Sequence, residues 1–138
     1  MKRLFAVILT ILLLSLPSYA WFIKKDKPVI IFRSKPITEG NVMTPEVEFN
    51  RGERIYYMVT MPKMQYARGL YIQIVRMDNS LAQMGYNLVW TRDVKLKDEE
   101  ITYFTDYVVL NSAGAYRMQV YSNDKPTKLF ARAQFWVK

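Results

Sequence analysis

The 138-residue chain contains neither histidine nor cysteine, and that removes most side-chain catalysis at once. A Ser-His-Asp or Cys-His site, a thiolate nucleophile, a common zinc site and ordinary haem ligation each need one residue or the other. The glycines stand singly at 40, 52, 69, 85 and 114, so no glycine-rich loop cradles a phosphate. What survives is acid–base work by paired carboxylates, or a Ser–Lys dyad. The carboxylate candidates are Asp98, Glu99 and Glu100, with Asp106 beyond.

Hydrolysis by two carboxylates needs one held in an apolar pocket that raises its pKa, facing the other across a cleft. Three consecutive acids among lysines look instead like a solvated turn. With Asp93 they offer oxygen ligands to calcium, but no spaced D-x-D-x-D pattern organises them. Asp106 sits inside an apolar run. If Tyr103, Thr105, Tyr107 and Val109 face the core, its carboxylate points to water, the cheaper arrangement. No motif supports a Ser–Lys pair. The expectation is a non-enzymatic protein with no cofactor and no metal; a carboxylate-based hydrolase is the lesser alternative.

The elements that must position any binding residues follow a leader. Met1-Lys2-Arg3 precedes an apolar run over residues 4–16, and Pro17-Ser18-Tyr19-Ala20 places small residues at the −3 and −1 positions. This is the pattern of a secretory signal peptide cut after Ala20; the alternative is an uncleaved anchor, against which the apolar run is shorter than the roughly 20 residues that cross a bilayer. Residues 21–138 then form one exported domain, periplasmic or at the cell surface. Lys2 and Arg3 leave with the leader, taking the formal charge from +8 to +6. That surplus favours anionic partners or simply keeps the domain soluble. The basic residues are spread along the chain, and nucleic acid is not among the expected partners. With 51% hydrophobic residues the domain can fill a core without disulfides.

From Pro28 onward, β-branched and aromatic runs alternate with turn signals, and helical periodicity never persists. Val29-Ile30-Ile31-Phe32 opens the first strand. Ile55, Tyr57, Val59 and Met61 share one face of the second, and Leu70, Ile72 and Ile74 one face of the third. Tyr86, Leu88 and Trp90 share a face of the fourth, and residues 101–110 make the fifth. Residues 116–121 and 129–137 form a hairpin, the latter setting Leu129, Ala131, Ala133, Phe135 and Val137 against Phe130, Arg132, Gln134 and Trp136. Residues 36–45 read as a loop or short edge strand; 80–85 and 96–100 have room for a helix of one or two turns. The fold class is all-β, a single antiparallel sandwich of about seven strands.

Leu110-Asn111-Ser112-Ala113-Gly114-Ala115-Tyr116-Arg117-Met118 resembles the tyrosine corner of immunoglobulin-like and fibronectin type III sandwiches. The resemblance implies that the Tyr116 hydroxyl returns to upstream backbone while its ring fills the core. Ser112 and Met118 stand where an immunoglobulin domain has Asp and Cys, so no inter-sheet disulfide forms; fibronectin domains have Pro in place of Ser112. Immunoglobulin-like order makes the third, sixth and seventh strands neighbours. Their outward residues are then Tyr71, Gln73 and Val75; Arg117, Gln119 and Tyr121; Phe130, Arg132, Gln134 and Trp136. Tyr, Trp and Arg in such a mixture anchor protein partners or stack on sugar rings. The expected function is a binding module, a monomer or a subunit of a cell-envelope assembly, that meets a protein partner or, alternatively, a glycan. Trp21-Phe22-Ile23, ahead of Lys24, Lys25 and Lys27, is an added strand or a peripheral membrane contact.

Overall fold

The computed structural model describes residues 27–61, 68–78, 87–97, 103–123 and 127–138. The expected leader, the segment 21–26, the acidic run 98–100 and the possible helix at 80–85 lie outside these residues. The described residues form eight strands: β1 (Val29–Arg33), β2 (Glu48–Phe49), β3 (Arg54–Thr60), β4 (Gly69–Arg76), β5 (Leu88–Lys95), β6 (Tyr103–Val109), β7 (Gly114–Ser122) and β8 (Leu129–Val137). They make a three-stranded sheet, β1-β3-β6, and a five-stranded sheet, β2-β8-β7-β4-β5. The result is an all-β, open two-sheet sandwich.

Period-two patterning sets most of this. Ile55, Tyr57, Val59 and Met61 from one sheet meet Leu70, Ile72, Ile74, Met118 and Val120 from the other, and all are buried. At one end the rings of Phe32, Phe49 and Phe135 cluster, with Phe32 and Phe135 4.9 Å apart. Tyr116 stacks on Phe135 at 5.6 Å and donates its hydroxyl to the Ser112 carbonyl at 2.6 Å. The predicted tyrosine corner is present, its ring 2% exposed. The third, sixth and seventh predicted strands are β4, β7 and β8, and they are adjacent.

Four expectations are corrected. The eight strands among the described residues agree with the expected number of about seven; the first correction concerns Glu48 and Phe49, which pair with Trp136 and Val137. That pairing is parallel, so the sandwich is not wholly antiparallel. Gly52, at φ +78°, turns the chain from β2 into β3 and donates its N–H to the Leu110 carbonyl. Next, β6 has the opposite phase to the one expected: Phe104 and Val108 are buried, while Tyr103, Thr105, Tyr107 and Val109 are exposed. Asp106 therefore turns inward, beside Tyr57 in the β3–β6 register, and its carboxylate meets the guanidinium of Arg92 on β5. The pair spans the flank where the two sheets lie open. An ion partner from the other sheet offsets the cost of turning a carboxylate inward.

The last two corrections arise from register breaks. One lies between Val120 and Tyr121, so Tyr121 pairs with Leu129 and Val120 with Ala131. Phe130 packs half-buried against the core, and Leu129 is exposed instead. A second break between Ile74 and Val75 parts Leu88 from Trp90: Trp90 packs on the core, while Leu88 pairs with outward-facing Val75.

Candidate functional site

The outer face of the five-stranded sheet is built by register. One row of paired residues runs Gln134, Arg117, Val75, Leu88. The next runs Arg132, Gln119, Gln73, Thr91, and the third Leu129, Tyr121, Tyr71, Asp93. Because the facing residues at 118, 120, 72, 74 and 135 fill the core, alternation forces these side chains outward. Above the first row, Trp136 pairs with Ala115 and is 43% exposed.

Nine of the ten residues expected to face outward on this sheet are therefore brought together: Tyr71, Gln73, Val75, Arg117, Gln119, Tyr121, Arg132, Gln134 and Trp136. Phe130 is not among them, for the reason given above. The centre of the face is ordered by its own hydrogen bonds. The Gln73 amide donates to Gln119 Oε1 at 2.7 Å and to the Tyr121 hydroxyl at 3.3 Å; that hydroxyl donates to the same Oε1 at 2.9 Å. The rings of Tyr71 and Tyr121 are 6.3 Å apart. Such a mutually held network fixes rotamers before any ligand arrives.

Two shallow grooves cross the rows. One, of about 430 Å³, is lined by Gln73, Val75, Met77, Asn87, Leu88, Arg117 and Gln119. The other, of about 360 Å³, lies among Arg117, Arg132, Ala133 and Gln134. They share Arg117, whose Nη2 reaches Met77 Sδ at 3.1 Å. Met77, Asn87 and Leu88 were not anticipated; the short connection between the third and fourth predicted strands was the available signal that β5 extends this face. Among the described residues neither Arg117 nor Arg132 has a carboxylate partner. The ion pairs among them are Arg76–Asp78, Arg92–Asp106 and Lys138–Glu48.

The inner ion pair offers little chemistry. Arg92 lies over the Phe104 ring at 5.8 Å, and Trp90 and Phe104 flank Tyr57. Among the described residues the Tyr57 hydroxyl has no hydrogen-bond partner, and burial pushes its pKa up, the Arg92 charge opposing this in part. The described residues contain no group of three or more acidic residues that could hold a metal ion.

No family model matches the chain, and no curated protein matches it in sequence. Its fold is similar to solved structures. The soluble domain of PmoD from a Methylocystis species superposes with a TM-score of 0.50 at 12% identity, covering 80% of this chain and 90% of that one. A superoxide reductase (neelaredoxin) from Ignicoccus hospitalis does so at 0.50 and 13%, covering 81% and 80%. A variant of that protein reaches 0.52 at 13%, covering 82% and 81%. At these identities the likeness is one of fold alone.

Proposed function

We propose that this chain is an exported binding module, without catalysis, that holds a protein partner of the cell envelope on the outer face of its five-stranded sheet. One observation carries the proposal. Among the described residues Arg117 and Arg132 flank one groove without carboxylate partners, beside a network of glutamines and a tyrosine that is already held in place. Planar guanidinium groups of this kind meet carboxylates in bidentate fashion, so the partner presents acidic side chains. The absence of His and Cys supports a binding role over chemistry, and the signal-peptide pattern of residues 1–20 supports export.

The test is recovery of the chain from native cells with its cross-linked partner. Wild-type chain is expected to bring down one envelope protein, and Arg117→Glu/Arg132→Glu to lose it while keeping its fold. Retention by the double variant would reject the face. Fractionation of tagged chain tests export; a cytoplasmic, uncleaved product would reject it. Exposed Trp136 and the Tyr71–Tyr121 pair favour a second reading, a glycan stacked on aromatic faces. A polysaccharide pull-down abolished by Trp136→Ala and Tyr121→Ala, yet indifferent to the two arginines, would select it.

A further inference from the structure

An open sandwich has four sheet edges, and proteins guard such edges with short length, charge, proline or irregular register. Here three are guarded. β2 has two residues, with Glu48 tied to Lys138. β5 carries Asp93 and Lys95 and a register break against β4. β1 runs into Arg33, Ser34, Lys35 and Pro36, and the Glu46 N–H already donates to its Phe32 carbonyl at 2.8 Å.

β6 is different. Its seven residues pair with β3 in unbroken register and include no Lys, Arg, Pro or Gly. Its one charge, on Asp106, is drawn inward by Arg92. Among the described residues no backbone group bonds to its open side. Outward it shows Tyr103, Tyr107 and Val109, 51%, 42% and 40% exposed.

We infer that β6 is the edge through which two copies of this chain associate, by antiparallel pairing about a dyad at Asp106. That register is self-complementary. It sets Tyr103 opposite Val109 and Thr105 opposite Tyr107 on the outer face, with Phe104 opposite Val108 on the inner. Aromatic and β-branched pairs of this kind favour strand pairing. The single like-charge juxtaposition, Asp106 with its copy, is offset because each carboxylate has its own Arg92. Edge pairing alone buries less than the roughly 1,200–2,000 Å² of a stable complex, so the dimer is weak and grows with concentration.

Sedimentation velocity on the full chain, from about 10 µM to about 1 mM, brackets such an interface. The wild-type mass is expected to climb from monomer toward dimer. Thr105→Lys, a charge placed on the exposed side of the open edge, is expected to stay monomeric, and Thr91→Lys on β5 to behave as wild type. The cysteine-free background permits a test of register: chain carrying Thr105→Cys, mixed with chain carrying Tyr107→Cys, should form the mixed disulfide faster than either forms its own. A constant monomer mass, equal loss with Thr91→Lys, or no preference for the mixed disulfide would overturn the inference. The Arg117–Arg132 face is on the other sheet, so its partner assay stands or falls separately.

Discussion

Replacing Arg92 with Met removes the cation that faces Asp106 and leaves its carboxylate on the inner side of β6. The Asp106 side chain is 19% exposed and that of Arg92 44%, so the two losses differ. With Arg92→Met, a mostly buried charge loses its partner; removing one half of a fully buried pair costs about 3–5 kcal/mol, and the partial exposure here reduces this to about 2 kcal/mol. With Asp106→Asn the guanidinium can swing to solvent, and the cost is about 1 kcal/mol. The double variant has no charge to strand and should lose about 1 kcal/mol rather than the summed 3, a coupling near 2 kcal/mol. Urea unfolding of the four proteins, with midpoints compared at unchanged m, measures this. A coupling below about 0.5 kcal/mol would refute the clasp and return Asp106 to solvent.

Three other outcomes are expected. Tyr116→Phe deletes the 2.6 Å bond to the Ser112 carbonyl and should cost about 1 kcal/mol, a drop of a few degrees in Tm by calorimetry; an unchanged Tm would mean that the bond contributes nothing. Phe135→Ala opens a cavity among Phe32, Phe49 and Tyr116 and should cost about 3–5 kcal/mol in denaturant titration. Burial raises the Tyr57 pKa above its ordinary value near 10, so the unfolded chain releases this proton first. Stability attributable to Tyr57 is intact below pH 10 and falls above it by up to about 1.4 kcal/mol per pH unit. Tyr57→Phe should be neutral or slightly stabilising at pH 7, because the hydroxyl has no partner among the described residues, and should show a shallower alkaline loss in unfolding titrations.

Strands with one buried face were legible in the sequence because alternation is a local signal: β3, β4 and β7 follow it residue by residue. The adjacency of β4, β7 and β8 followed from the tyrosine-corner resemblance, and with it most of the candidate face. What escaped depended on partners remote in sequence. β6 offers aromatic and β-branched residues on both faces, so its phase turned on the cost of burying Asp106, and the compensating Arg92 lies on another sheet. Phe130 and Leu88 were misassigned because one extra residue at a register break reverses every side chain beyond it. β2 is too short to have a period at all.

The position of β8 bears on when the molecule can become itself. Although it follows every other strand in the chain, it lies inside its sheet, flanked by β7 and by β2 some ninety positions earlier, and supplies Phe135 to the aromatic cluster. A nascent polypeptide lacking those last strand residues therefore has an unfilled end, a β2 with no partner and a β7 paired on one side only. Assembly must await β8, with closure by long-range contacts that are slow to find.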